Sequence, residues 1–257
     1  MKILVTGATD GIGLATAKLL IEEGHEVLVH GRDEQKLAAV VRKFDSNRVT
    51  SYIADLSKSE DVMLFADRLL KEHNSIDVLI NNAGIYGAKS RLGENGWDFR
   101  FIVNAIAPYV LTKRLLPLLP VTGRVVNVSS AAQARLDYGA LQGHSPITDG
   151  DAYAQSKLAI TMWTYELSKK YPQTFIAVNP KSLLGSKMVK SAYGIDGHNL
   201  MIGAKVLRDA VTSDEFEHAS GKYYDNDLEQ FAEVHPDVYD EEYRQELMET
   251  LNSISYL

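Results

Sequence analysis

The 257-residue sequence contains no cysteine, which excludes a disulfide framework, a thiolate nucleophile, a cysteine-ligated zinc and an iron–sulfur cluster. Redox chemistry would have to come from a bound cofactor. Bases are the scarcer charge: 27 lysines and arginines against 34 acids leave a net charge of −7, which argues against general nucleic-acid or anionic-membrane binding. Long apolar runs are missing as well. Ile3-Leu4-Val5 stops at Thr6-Gly7, and no later stretch gives about 18 uninterrupted apolar residues, so neither a signal peptide nor a membrane span is expected. The expected location is the cytoplasm. The seven histidines show no metal-ligand spacing, and no metal site is expected.

What is present is a globular composition, 45% apolar and 24% charged, sufficient for a full core. Short β-branched runs alternate with amphipathic stretches, the pattern of repeated βαβ units around a parallel sheet. Strands are expected at Lys2 to Thr6, Glu26 to His30, Arg48 to Ile53, Val78 to Asn81, Arg124 to Ser129 and Thr174 to Asn179, with a weaker one near Lys222 to Tyr224. Helices are expected between them, including one continuous helix from Trp97 to Leu119 and another from Ala152 to Lys170, with an acidic terminal helix near Asp240 to Asn252. The whole chain, 1–257, reads as one doubly wound α/β domain. Two stretches without clear periodicity, Ala131 to Asp151 and Lys181 to His198, follow strands and so emerge at the carboxyl edge of the sheet. Open α/β folds bind ligands there, and long irregular segments commonly serve as lids.

Between the first strand and first helix lies Thr6-Gly7-Ala8-Thr9-Asp10-Gly11-Ile12-Gly13. Its glycines permit a tight turn and let a pyrophosphate approach the amides that open the helix, whose dipole favours an anion. The spacing Gly-x-x-x-Gly-x-Gly resembles the short-chain dehydrogenase/reductase family, and the resemblance continues in order along nearly the whole chain. Asp55-Leu56 follows the third strand, Asn81-Asn82-Ala83-Gly84 closes the fourth, and Asn104 lies in the long helix. Asn127-Val128-Ser129-Ser130, Tyr153-Ala154-Gln155-Ser156-Lys157 and Val178-Asn179-Pro180 complete the series. The gap from Ser130 to Tyr153 and the run Ser156-Lys157-Leu158-Ala159 look like the retinol-dehydrogenase and WW-domain-containing oxidoreductase branch.

This resemblance implies a Rossmann-like, mostly parallel seven-stranded sheet of order 3-2-1-4-5-6-7 with lids near 131–151 and 181–213. It also implies hydride transfer between a nicotinamide cofactor and a small carbonyl or alcohol substrate. It places Gly7, Thr9, Asp10, Gly11, Ile12, Gly13, Asp55, Leu56, Asn82, Ala83, Gly84, Pro180 and Ser186 at the cofactor, together with Tyr153 and Lys157. Ser130 is the family's substrate-holding serine, and Asn104 links Lys157 to solvent. Two positions depart from the pattern: Lys181 stands where glycine usually follows Asn-Pro, and Ser186 where threonine is common. The family also implies a homodimer or homotetramer packed through the fourth and fifth helices, with Leu111, Met162 and Trp163 as contact candidates.

The choice of cofactor rests on the end of the second strand. Gly31 holds the place where NAD enzymes carry an acid for the ribose 2′-hydroxyl, and Arg32 beside it can pair with a 2′-phosphate. NADP is therefore expected over NAD, with Asp10 and Asp33 as opposing charges. Tyr-x-x-x-Lys occurs three times, as Tyr109/Lys113, Tyr153/Lys157 and Tyr165/Lys169. Tyr165 lies about 18 Å beyond Tyr153 along the same helix axis, so only Tyr153 reaches the edge where a cofactor would sit. A phenol near pKa 10 is a sluggish proton donor and a scarce base at neutral pH; Lys157, one turn on, is expected to lower it. The rival readings are a non-catalytic NADP-binding sensor or scaffold on the same fold, and a sugar-nucleotide epimerase or dehydratase.

Overall fold

The computed structural model describes the chain apart from residues 89, 94–95 and 255–257. Strand β1 (Lys2–Val5) leads into α1 (Gly11–Glu22), β2 (Glu26–Gly31), α2 (Glu34–Phe44), β3 (Val49–Ile53), α3 (Ser59–Glu72) and β4 (Val78–Asn81). A broken helix follows as α4 (Phe99–Phe101), a π-turn (Ile102–Ile106) and α5 (Ala107–Leu115). Next come β5 (Arg124–Val128), the short α6 (Tyr138–Leu141), the 22-residue α7 (Asp149–Lys170) and β6 (Thr174–Asn179). The chain closes with α8 (Lys187–Tyr193), α9 (Leu200–Thr212), β7 (Tyr223–Asp225), β8 (Gln230–Ala232) and α10 (Glu241–Ser253).

The strands form one sheet of order β3-β2-β1-β4-β5-β6-β7-β8, parallel throughout except for the β7–β8 pair. The expected seven-strand order is present, with β8 as an additional antiparallel edge. Side chains alternate across this sheet as the pleat requires. On β1, Ile3 and Val5 pack toward α1, α2 and α9, while Leu4 packs toward α3, α5, α7 and α10. Each buried Val, Leu or Ile contributes about 1.5–3 kcal/mol, so the two apolar layers supply the bulk of the driving force.

The face toward α7 also holds a polar ladder. Asn81 Nδ2 donates to Thr112 Oγ1 at 3.0 Å and to Asn127 Oδ1 at 2.8 Å, and Asn127 Nδ2 donates to Thr164 Oγ1 at 2.7 Å. One step up the sheet, Ser129 Oγ meets Thr161 Oγ1 at 2.7 Å. All of these side chains are buried.

The helix expected to run unbroken from Trp97 to Leu119 is interrupted at the π-turn. Pro108 has no N–H to give the Asn104 carbonyl four residues back, and its ring crowds that carbonyl. The turn widens, and the Ala107 N–H reaches Ile102 instead. The stretch Phe99–Leu118 is long and apolar enough to cross a membrane by length and composition alone, although Arg100, Asn104, Lys113 and Arg114 interrupt it, and 78% of its apolar window is buried inside the protein itself. Leu111, Met162 and Trp163 are fully buried within the chain's own core, so they are packing residues and not contact candidates for another copy.

Candidate active site

The carboxyl ends of β1, β2, β4, β5 and β6 open into a cavity of about 570 Å³. It is lined by Gly7, Thr9, Asp10, Gly11, Ile12 and Gly13 from the loop before α1, and by Arg32, Asp55, Leu56, Asn82, Ala83 and Gly84 from the ends of β2, β3 and β4. Ser130, Tyr153, Lys157, Pro180 and Ser186 line its other side. Asn104 stands directly behind this wall and is buried.

The glycine loop is bolted to the end of β4. Thr6 Oγ1 accepts the Asn82 and Ala83 amides, each at 3.0 Å, while Asn82 Nδ2 donates to the Thr6 carbonyl at 2.8 Å. A Cβ on Gly7, whose φ is +66°, would stand 2.9 Å from the Ala83 Cα, so only glycine fits there. Gly11 is different: a Cβ there would meet only Ser186, at 4.0 Å. Its face of the loop looks across open space at the start of α8, a cradle suited to a pyrophosphate.

His30, unremarked in the sequence, holds the loop from the other side. Its Nδ1 accepts the Gly7 N–H at 3.2 Å and its Nε2 faces the Ala54 carbonyl at 3.0 Å, so Nε2 carries the proton and the ring is neutral. Burial lowers its pKa from 6.5 to about 4. The ring stacks on Phe65 with centroids 4.8 Å apart.

At the end of β2, a Cβ on Gly31 would collide with the Thr9 side chain. Arg32 and Lys36 are exposed on the cavity rim. The two acids that weigh against NADP are both engaged elsewhere. Asp33 caps α2 by accepting the Lys36 amide at 3.0 Å, and Asp10 caps α1 and receives Lys187 Nζ at 2.5 Å. Asp55 accepts the Ser57 amide and hydroxyl at 3.0 and 2.7 Å.

Across the cavity, the Tyr153 phenol and the Ser130 side chain face the same space, and Ser130 acts on the phenol's acidity. Ser130 is itself held in place: its carbonyl accepts Gln133 Nε2 at 3.0 Å and the Tyr223 hydroxyl at 3.1 Å. Lys157 Nζ lies 5.6 Å from the Tyr153 ring centroid and donates to the Val128 carbonyl at 2.6 Å. Asn104 Oδ1 accepts the Ile85 amide at 2.8 Å, and its Nδ2 donates to the Ile85 carbonyl at 2.9 Å and Ser156 Oγ at 3.0 Å. Ser156 in turn donates to the Tyr153 carbonyl at 2.6 Å.

One electrostatic expectation is corrected. Burial raises the Tyr153 phenol above its usual value, the Ser130 side chain opposing it, whereas Lys157 was expected to bring the phenol down. The lysine's own pKa is lowered by burial to about 8. With its ammonium turned to Val128, Tyr153 is a protonated phenol.

The competing tyrosines lie elsewhere. The Tyr109 hydroxyl donates to Asn252 Oδ1 at 2.8 Å in the core, and Tyr165 stacks edge-on against Tyr239 beneath Lys169. Two aromatic residues that sequence reasoning missed stand at the mouth. The Tyr86 ring lies 5.3 Å from Tyr153 and 5.6 Å from Tyr193 of α8. Tyr86 follows Gly84 by two residues, and that proximity to the loop closing β4 was its only signal.

The sequence model for short chain dehydrogenases matches residues 1–191. The chain belongs to the short-chain dehydrogenase family. Within it, human retinol dehydrogenase 13 is 29% identical over 93% of this chain and 80% of its own length. Mouse retinol dehydrogenase 12 is 30% identical over 86% of this chain and 76% of its own. Human polyprenol dehydrogenase is 35% identical over 65% of this chain, a match that spans 54% of that protein. An uncharacterised protein of Mycobacterium paratuberculosis superposes with a TM-score of 0.80 at 27% identity, covering 100% of this chain and 94% of its own. A short chain dehydrogenase of Shigella flexneri complexed with NADP gives 0.70 at 27% identity, covering 88% and 96%. The chain is thus an NAD(P)-dependent oxidoreductase of the retinol-dehydrogenase branch.

Proposed function

We propose that the protein is an NADP-preferring reductase and dehydrogenase that interconverts an aldehyde or ketone with its alcohol. The observation that carries this reading is the convergence of Ser130, Tyr153 and Lys157 on the same cavity as the glycine loop. A bound nicotinamide cofactor supplies the hydride in reduction and takes it in oxidation.

The chain's residues do the rest. Gly7, Thr9, Gly11, Ile12 and Gly13 would hold the cofactor's pyrophosphate, and Asp55, Leu56, Asn82, Ala83, Gly84, Pro180 and Ser186 would hold the rest of it. Arg32, joined by Lys36, meets the 2′-phosphate. Ser130 donates a hydrogen bond to the substrate oxygen and orients it toward Tyr153. In reduction, Tyr153 Oη gives its proton to that oxygen; in oxidation, the phenolate takes it back. Such general acid–base catalysis contributes about 10²–10⁴-fold. Lys157 supports the phenolate as it forms and binds the ribose, and Asn104 fixes the far side of the proton path through Ile85 and Ser156.

Burial of Tyr153 keeps its proton at neutral pH, so the phenol is available as the proton donor for reduction. Around it the walls are mostly apolar or aromatic, with Ile85, Tyr86, Leu184, Met188 and Val189. An apolar carbonyl compound suits such walls, in keeping with the names of the retinol and polyprenol relatives. The experiment is NADPH consumption by the wild type and Tyr153→Phe against a panel of uncharged aldehydes and ketones. Turnover lost in the variant with NADPH binding retained supports the reading. NADPH binding without turnover of any carbonyl favours a sensor on the same fold. A homodimer or homotetramer belongs to the proposal too, through surfaces other than Leu111, Met162 and Trp163, and light scattering at micromolar concentration tests it.

A further inference from the structure

Behind the cavity wall is an ion-paired bracket that the proposed chemistry leaves unused. Arg100 is 2% exposed and Asp98 is fully buried. Asp98 Oδ1 accepts the Arg100 amide at 2.8 Å and Nε at 2.7 Å, while Oδ2 accepts Nη2 at 2.5 Å. This forked pair already neutralises the guanidinium. Arg100 nevertheless extends Nη1 to a second carboxylate, Asp149. Asp149 is 57% exposed on its side chain, so water could solvate it without any partner.

The location of the two ends gives the contact a purpose. Arg100 is in α4, immediately before the π-turn that carries Asn104. Asp149 is the first residue of α7, one turn ahead of Tyr153. Between them runs the 85–87 segment, bound through Ile85 to Asn104. A Cβ on Gly150 would stand 3.2 Å from the Tyr86 hydroxyl, and one on Gly87 3.8 Å from Asp149 Oδ2. The approach to α7 is tied to the same side: the Asp98 amide donates to the Leu141 carbonyl at 2.6 Å, and Arg91 Nη2 to the Ala140 and Ser145 carbonyls at 3.0 and 2.8 Å.

We propose that Arg100, acting through Asp149, is a positioning residue that fixes the first turns of α7, and with them Tyr153, against Asn104 and the 85–87 segment. The inference rests on the reading of Tyr153 as the acid–base residue. A helix start held only by its own cap frays on the scale of an ångström, and errors of that size slow hydride transfer.

Asp149→Asn is the decisive variant, since it leaves the buried Arg100–Asp98 pair intact. Its kcat for carbonyl reduction should fall about tenfold while NADPH affinity stays within about twofold, and a deuterium at the transferred position of the cofactor should slow it more than it slows the wild type. Amide exchange in residues 150–157 should quicken about fivefold in the NADPH complex. Asp151→Asn removes the other acid of the same first turn, and hence a similar share of helix-dipole stabilisation, without touching Arg100, while its amide oxygen can still accept the hydroxyl of the N-cap Thr148. It should change neither kcat nor exchange, and Asp149→Glu should recover most of the lost rate. Wild-type kcat and exchange in Asp149→Asn would overturn the proposal, whatever happened to its melting temperature, and so would equal effects from Asp151→Asn. If the wild type reduces no carbonyl, the functional reading fails, and the exchange rates still decide whether the bracket orders α7.

Discussion

The Lys157 ammonium donates a 2.6 Å hydrogen bond to the carbonyl of Val128, the last residue of the strand that delivers Ser130. The bond holds the side chain at the bottom of the cavity, where burial lowers its pKa to about 8. The charge is present below that value and lost above it. Affinity for NADPH, measured by fluorescence titration, should therefore fall as pH rises through about 8, by about tenfold if a charged hydrogen bond to the ribose is lost. Lys157→Met should bind weakly at every pH and show no such slope.

Replacing Tyr153 with Phe should lower turnover by at least about 10²-fold with little change in NADPH affinity, because the ring's packing is kept and only the proton donor goes. Tyr109→Phe and Tyr165→Phe should turn over like wild type, at some cost in stability for Tyr109, whose hydroxyl bonds to Asn252. Steady-state kinetics on one reducible aldehyde separates the three.

His30 gives the fold an acid limit. Its folded pKa of about 4 lies below the 6.5 of an unfolded chain, so as pH falls the unfolded state takes the proton first. Stability should drop between about pH 6.5 and about pH 4, by about 3 kcal/mol from this residue alone. Denaturant melts across that range check the slope. His30→Gln, which cannot titrate, should start less stable and lose less.

Arg32→Ala should remove most of the preference for NADPH over NADH, about 1–3 kcal/mol when a charged hydrogen bond to phosphate is deleted. Paired titrations of the two cofactors measure it, and equal wild-type affinities would sink the NADP assignment.

Lys181 has φ +115°, a region where a side chain is strained, and its ammonium lies 3.7 Å from Asp227. Lys181→Gly should leave the protein as stable or more so by up to about 1 kcal/mol, strain relief outweighing an ion pair in contact with water. With the ammonium committed to Asp227, the variant should treat a neutral aldehyde and its carboxylated analogue alike at low and high salt. A selective loss on the anion would show that the lysine leaves Asp227 for substrate.

Some of this architecture is legible in the sequence and some is not. The parallel strands announce themselves because both faces are buried, so each is a short β-branched run, and the glycine loop is legible because Gly7 tolerates no Cβ. Ser130 and Tyr153 are 23 positions apart, and what joins them is only their place at the ends of β5 and the start of α7. The three residues of β8 carry no alternation to detect. Trp163 and Met162 look like one side of an amphipathic helix with a second side to spare, yet α7 is wrapped by sheet, α5 and α10, so both are core. The π-turn needed the clash at Pro108 to be weighed against a continuous helical pattern. The Lys157 and Tyr153 acidities depend on burial and on where an ammonium points, which spacing does not encode.

The Asn81–Asn127–Thr164 ladder has a bearing on how Tyr153 and Ser130 find their height above the sheet. Greasy surfaces slide: a helix lying on valines loses little by shifting along its axis. An amide clasping one hydroxyl does not permit such a shift, because the next threonine hydroxyl up the helix, Thr161, is already taken by Ser129. Two pegs at fixed spacing thus index α7 against β5 like the teeth of a key. The elevation of Tyr153 beside Ser130 is thereby set two turns below the cavity, by groups no substrate ever touches.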